Sequence, residues 1–205
     1  MNQAKKKASS SIRVAKKTSG KGTGQIRIIA GKHRGRKLPV LLADGLRPTT
    51  DRVKETVFNW LMPYINQATC LDCFAGSGGL GFEALSRGAK TVTLVELNKM
   101  AAKQLSANKQ LLNANNLTVI NSDALTFLKT NVTTQPLFDL VFIDPPFRKQ
   151  LVEQASLLLN NNLADNALIY VEMEVESKQV IPSNWHLLKE KVAGQVVYQL
   201  YQYQT

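Results

Sequence analysis

From Gln25 onward, short apolar runs alternate with longer stretches of helical spacing. Leu71 to Phe74, Thr91 to Val95, Leu117 to Ile120, Phe138 to Ile143 and Ala167 to Glu172 are rich in aliphatic, aromatic or β-branched residues and predict strands. Between them, Phe82 to Ser86, Lys99 to Leu112, Ala124 to Lys129 and a segment opened by Arg148 and Lys149 and ending near Leu159 predict helices. Such alternation predicts an α/β sheet covered by helices. Trp185 to Val192 and Gln195 to Tyr203, joined by a turn near Ala193-Gly194, predict a closing antiparallel pair. Upstream, Gln25 to Ala30 and Arg36 to Val40 flank a basic turn at Gly31 to Gly35 and predict a hairpin. Arg52 to Pro63 predicts a helix with Thr50 as its cap, Asp51 in its first turn, and Val53, Val57, Phe58 and Leu61 as its apolar stripe.

Residues 1 to 24 break this pattern. They are rich in Lys and Ser, and Ile12 and Val14 are their only large aliphatics, too few to offset the entropy of ordering. The expected organisation is therefore a disordered basic arm (1–24), a basic hairpin extension (25–45) and a main domain (46–205). Charge follows the same division. The net charge is +11, yet residues 1–37 hold twelve Lys or Arg and no acid, so the remaining 168 residues carry fourteen basic and fifteen acidic side chains, a net of −1. A basic end on a near-neutral body points to a polyanion, nucleic acid first. The dense tip Lys32, His33, Arg34, Arg36 and Lys37 is the better phosphate-binding candidate, and Arg47 and Arg52 could reach a phosphate or pair with nearby acids. No apolar run approaches the ~18 residues of a membrane span, and the basic N-terminus lacks a hydrophobic signal core. A cytoplasmic protein is expected. Cys70-x-x-Cys73 would place its thiols on opposite faces of a strand, which favours buried structural cysteines over a metal pair.

Candidate chemistry centres on residues 69–98. A strand containing Asp72 runs into Gly76, Ser77, Gly78, Gly79 and Gly81, then a helix, then a second strand ending in Glu96. Glycines permit tight positive-φ turns and close approach of a ligand to bare backbone. The N–H groups at the helix start suit an anion or carboxylate, and an acid at the second strand's tip can accept both hydroxyl hydrogens of a ribose. G-x-G-x-x-G with an acid twenty residues on fits a dinucleotide site, whereas the opening D-x-F-A-G-S-G tilts towards S-adenosylmethionine. Asp123, where the third strand ends, suits the exocyclic amine of adenine or the N-cap of the following helix, and one residue can do both.

Asp144-Pro145-Pro146-Phe147 follows the most apolar strand. Two prolines remove two N–H donors and stiffen the backbone. The Asp144 carboxylate and the Pro145 carbonyl remain as acceptors for the two hydrogens of a planar amine. Holding both favours a pyramidal nitrogen with its lone pair free to attack a methyl group, and Phe147 can stack on a base displaced from its helix or loop. Asp144 can also take the proton lost on methylation, or the base can shed it to water.

LDCFAGSGGLGFEALSRGA, VELN, NSDA and IDPPF, in this order and spacing, resemble the class I S-adenosyl-L-methionine-dependent methyltransferases that act on exocyclic amines. RIIAGKHRGRKLPV and GLRPTTDRVKETVFNWL resemble, more narrowly, the bacterial family that methylates N2 of a guanine in 16S ribosomal RNA. The resemblance spans 26 to about 203 and implies a seven-stranded sheet flanked by helices with an antiparallel final pair. It also implies that Asp72, Phe74, Ala75, Gly76, Ser77 and Gly78 cradle the methionine part of the cofactor. Glu96 would hold the ribose, Asp123 with Ala124 the adenine, and Asp144, Pro145 and Phe147 the guanine, with Leu97 also at the cofactor. It further implies an assembled small-subunit substrate, with Arg148 and Lys149 near an anion, and a monomer without a metal. Three other readings stay open on the residues themselves: an adenine-N6 enzyme, a nicotinamide-dependent dehydrogenase, and a non-catalytic RNA-binding assembly protein.

Overall fold

The computed structural model describes residues 23–41, 50–130, 137–147 and 149–204. Strands β1 (Thr23–Arg27) and β2 (Lys37–Leu41) form an antiparallel hairpin, followed by helix α1 (Asp51–Leu61). The main body runs β3 (Thr69–Asp72), α2 (Gly79–Ser86), β4 (Thr91–Glu96), α3 (Lys99–Leu111), β5 (Leu117–Asn121), α4 (Ala124–Thr130), β6 (Phe138–Ile143), α5 (Leu151–Leu159), β7 (Leu163–Glu174), β8 (Trp185–Ala193) and β9 (Val196–Tyr203). Strand order in the sheet is β5-β4-β3-β6-β7-β9-β8. The first five are parallel; β9 runs against β7, and β8 against β9. This is the expected class I methyltransferase-like α/β sheet with seven strands and an antiparallel final pair.

The order explains where a site forms. From β3 the chain winds outward through β4 to β5, then returns to lay β6 on the other side of β3. At this switch the connections leave in opposite directions and open a crevice at the carboxyl ends of β3, β4 and β6. Strands buried on both faces need apolar residues throughout, and Phe138–Ile143 supplies them. Alternation sends Cys70, Phe142 and Tyr170 to one core with α1 and α2, and Leu71, Ile143 and Val171 to the other with α4 and α5. Cys70 and Cys73 fall in different cores, and burial pushes both thiols well above their ordinary range.

Two boundaries differ from expectation. Helix α2 starts at Gly79 rather than Phe82, because close packing overrides glycine's poor propensity: a Cβ on Gly81 would sit 2.1 Å from Leu94 Cδ2. Strand β7 starts at Leu163 rather than Ala167, its apolar run interrupted by Asp165 and by Asn166 with φ of 61°, where the register against β6 shifts.

The hairpin begins at Thr23 and shares the main core through Ile26, Ile28, Leu38 and Val40. A single acid in the otherwise apolar α2 anchors it. The buried Glu83 carboxylate accepts from Ile29 N at 2.9 Å and Ala30 N at 3.0 Å, and Arg87 Nε donates to it at 2.7 Å. Ser86 Oγ accepts from His33 N and donates to Ala30 O, while Lys32 N donates to Ser86 O at 2.7 Å. Gly31, at φ of 78°, lies so close that a Cβ would meet Ser86 O at 1.9 Å. On the other side buried Lys54 donates to Arg27 O and pairs with Asp51, which also binds Arg27. Arg27 and Lys54, rather than Arg52, are thus Asp51's partners.

Glu83→Ala would leave two backbone donors and Arg87 without their acceptor. The expected loss is about 3 kcal/mol of unfolding free energy in urea, with Glu83→Gln losing less because its amide oxygen still accepts. Equal midpoints for Glu83→Ala and wild type would show that the anchor contributes nothing.

Candidate functional site

The glycine turn leaves β3 at Asp72. Gly76 and Gly78 take φ of 51° and 79°, and the backbone closes with Gly78 N donating to Ala75 O and Ala75 N to Val95 O. Two carboxylates then fold onto the turn. Glu96 Oε2 accepts from Gly76 N at 2.8 Å while its Oε1 accepts from Asn98 N at 2.7 Å. Asp72 Oδ2 accepts from Gly81 N at 3.2 Å, and Phe74 N–H also points to it. Both acids are buried. Burial, with a smaller contribution from the nearby Glu96 charge, raises the Asp72 carboxyl to about 7 despite the backbone bonds that favour its ionised form.

The expectation of an anion or a carboxylate at these N–H groups is met by carboxylates. Those of Gly76 and Gly81 are already satisfied by carboxylates, and a pyrophosphate there would face two acids. The donor set suits a cation with hydroxyls beside it, as in an adenosyl sulfonium amino acid. Beyond Glu96, Asn121 Nδ2 donates to Glu96 O and Leu97 O and fixes the next turn, leaving Leu97 68% exposed as an apolar surface beside the acid. Asp123 Oδ1 caps α4, accepting from Thr126 N at 2.9 Å and Thr126 Oγ1 at 3.1 Å. The buried Ala124 is the helix's first residue.

Across the switch, Asp144 and Pro145 follow the last residue of β6. Pro145 is buried, Asp144 half-buried and Phe147 44% exposed. Pro145, Pro146 and Phe147 line a recess with Gln150 of the α5 approach and Glu172 of β7. Asp144 lies close enough to Tyr170 for its charge to help raise that hydroxyl's pKa. Lys149 does not open α5: the helix begins at Leu151, and the N–H groups of Val152 and Glu153 donate to Gln179 Oε1 at 2.8 and 3.2 Å. A neutral side chain therefore satisfies these two helix-start N–H groups. Arg148 and Arg47 lie outside the described residues.

The basic tip is not at the crevice. Lys32 N and His33 N bond to Ser86, the last residue of α2, whereas the glycine turn precedes its first. Eight helical residues at 1.5 Å each put ~12 Å between those ends. Lys32, Arg34, Arg36 and Lys37 are exposed, and partial burial with the Lys32 and Arg36 charges lowers the His33 pKa, so His33 is neutral at pH 7. At its other end the hairpin returns to the crevice: Thr23 pairs with Leu41, and Val40 and Leu41 lie against Gly76 and Ser77.

Residues 26–202 match the family described as Conserved hypothetical protein 95. The chain belongs to that family. Ribosomal RNA small subunit methyltransferase D of Haemophilus influenzae is 61% identical over 183 residues, covering 87% of this chain and 94% of that protein. Its Escherichia coli namesake is 56% identical over 190 residues, covering 91% and 94%. A solved structure of the Escherichia coli protein yhhF shares 56% identity and a TM-score of 0.79, covering 89% of this chain and 99% of that one. Three residues that sequence reasoning passed over also shape the region: Glu83, Gln179 and Glu172. Glu83 alone left a signal, as the one acid in an apolar helix; the other two depend on which strands and loops meet.

Asp72 also sets a pH dependence. Its folded pKa of about 7 lies above its ordinary value of 3.8, and Glu172, raised by burial to about 7, lies above 4.5. The folded chain thus holds protons that the unfolded chain has released, so stability falls as pH rises from about 4 to about 7 and stays lower above it. Unfolding free energy of the ligand-free protein is expected to drop between pH 5 and pH 8, Asp72 contributing roughly 2–4 kcal/mol. Asp72→Asn should flatten the curve; an unchanged slope in that variant would remove Asp72 as its source.

Proposed function

We propose that the protein methylates the exocyclic N2 amine of a guanine in 16S ribosomal RNA, within an assembled small ribosomal subunit. S-adenosyl-L-methionine is the methyl donor. The observation that carries the reading is the placement of Asp144-Pro145-Pro146-Phe147 at the switch point, one strand from a glycine turn whose two carboxylates favour a cationic ligand. When bound, the cofactor supplies an electrophilic methyl group on a sulfonium sulfur.

Around it, Asp72, Phe74, Ala75, Gly76, Ser77 and Gly78 would hold the methionine portion. Glu96, which already accepts two backbone N–H groups, keeps lone pairs for ribose hydroxyls. Leu97 offers a flat apolar contact for adenine, with Ala124 beneath and Asp123 accepting its amine while capping α4. The Asp144 carboxylate and Pro145 carbonyl accept both hydrogens of the target amine and orient its lone pair. The exposed ring of Phe147 stacks on the base, which must leave its own stack to reach the recess. None of these residues forms a covalent bond to substrate. Methyl transfer leaves the sulfur as a thioether, and the methylated nitrogen gives up one proton to Asp144 or water. Positioning with preorganised acceptors carries the rate.

The separation of base site and basic tip supports a large, structured RNA. A substrate that places a nucleotide in the crevice and phosphates on Lys32, Arg34, Arg36 and Lys37 must follow the protein over at least ~12 Å. Arg47 and Arg148 are proposed as further phosphate contacts on sequence alone, and His33 as a neutral donor. The hairpin is proposed as an RNA-binding extension of the catalytic domain. We take the active form to be a cytoplasmic monomer; among the described residues no helix is long and apolar enough to cross a membrane.

Subunits lacking the modification, supplied with labelled cofactor and digested to nucleosides, should yield N2-methylguanosine; methyladenosine would overturn the substrate. Asp144→Ala should lower kcat at least ~100-fold with cofactor affinity by calorimetry unchanged, as expected for contacts made mainly in the transition state. Wild-type turnover in that variant would remove the mechanism. Replacing Lys32, Arg34 and Arg36 together by Ala should flatten the salt dependence of subunit binding by up to about 2–3 units of log K per log salt. An unaltered slope would place the phosphate contacts elsewhere.

A further inference from the structure

The amine acceptors at Asp144 and Pro145 are indifferent to which base carries the amine. Guanine, adenine and cytosine differ in the neighbouring ring nitrogen: guanine N1 bears a hydrogen, whereas adenine N1 and cytosine N3 are bare acceptors. Base choice therefore needs a group that tests that atom; Glu172 and Glu174 of β7 both line the recess with Lys149, and Glu172 is the acid level with Asp144. In the parallel pair β6–β7, Ile143 is in register with Val171, so the next residues, Asp144 and Glu172, leave adjacent strands at one level. Phe142 and Tyr170 precede them by two residues in the same core, and Tyr170 feels the charges of both acids. Glu172 also lines the recess formed by Pro145, Pro146 and Phe147.

Glu172 is held in place. Tyr170 Oη donates to its Oε1 at 2.7 Å, and the Tyr170 ring packs edge-on against Phe142 with centroids 6.2 Å apart. From the other side β9 brings Tyr198 into register with it. Among the described residues Glu172 makes no ion pair, and its Oε2 makes no hydrogen bond. Burial makes the ionised form of the Glu172 carboxyl costly and raises it to about 7, although Lys149 lines the same recess. A donor arriving from the recess would relieve that cost.

We infer that Glu172 accepts the ring N1–H of the target base while Asp144 and Pro145 hold its amine, and so selects guanine over adenine and cytosine. The inference rests on the guanine-N2 reading above. Adenine or cytosine in the same pose would turn a ring lone pair towards the carboxylate and leave it unpaired. Tyr170 is the positioning residue, fixing Glu172 without touching the base.

Glu172→Gln tests this, because the amide oxygen keeps the Tyr170 bond while its NH₂ can no longer accept. With subunits lacking the modification, kcat/KM should fall at least ~30-fold, with cofactor affinity unchanged and Tm at pH 8 no lower than wild type. Once the methylated position is mapped, particles are reconstituted with 2-aminopurine riboside there, which keeps the amine but makes ring N1 an acceptor. Wild type should use this base about 100-fold less well than guanosine, and Glu172→Gln should narrow the gap to within about tenfold. Undiminished guanosine methylation by Glu172→Gln, or equal use of the two bases by wild type, would overturn the inference. The wild-type comparison decides alone should the variant fail to fold. A product other than N2-methylguanosine sinks the substrate reading instead, so the two failures are distinguishable.

Discussion

Two carboxylates closing over a glycine turn are the constraint on which the site depends. A turn with G-x-G-x-x-G spacing and a helix behind it is electrically suited to phosphate. Here Glu96 accepts from Gly76 N and Asp72 from Gly81 N, and the same turn becomes a seat for positive charge. The close approach of α2 to the sheet makes this possible: Gly81 lets the helix settle on Leu94 and brings its N–H within reach of Asp72. A larger residue there would lift the helix and break the bond. The cofactor preference is thus built into backbone packing as much as into the acids.

The topology then divides labour between the two ends of the sheet. Carboxyl ends of β3, β4 and β6 gather the cofactor turn, Glu96 and the Asp-Pro-Pro-Phe segment around one crevice. The opposite end carries the basic tip, locked to the end of α2 by Glu83 and Ser86. Because the tip is bonded to the same helix whose start forms the cofactor turn, its cations keep a fixed distance and direction from the reacting centre. A rigid offset of this kind suits a substrate with a fixed shape of its own.

Within the crevice, chemistry and choice fall to neighbouring strands. Asp144 ends β6 and Glu172 stands level with it on β7, on the face already occupied by Phe142 and Tyr170. One strand supplies acceptors that any exocyclic amine satisfies; the next supplies an acid whose burial gives it reason to meet a hydrogen. Parallel pairing at constant register is what sets the two at one level.

Much of this was legible in the residue order. Strand and helix positions, the glycine turn with its two acids, the double proline after the most apolar strand and the confinement of excess charge to one end all follow from local periodicity, backbone chemistry and composition. What stayed hidden were the pairings between distant segments. Glu83 meets backbone 54 residues earlier, Gln179 satisfies a helix start 26 to 27 residues earlier, and Glu172 stands level with Asp144 only through strand register. The same limit left the turn's N–H groups open to either an anion or a carboxylate. A side chain's type and its near neighbours can be read along the chain, but a hydrogen-bond partner is chosen by which surfaces burial forces together. The sequence by itself therefore determined the elements and the candidate chemistry, whereas only the tertiary structure decided which side chains close the turn, where the basic tip lies and which acid stands level with Asp144.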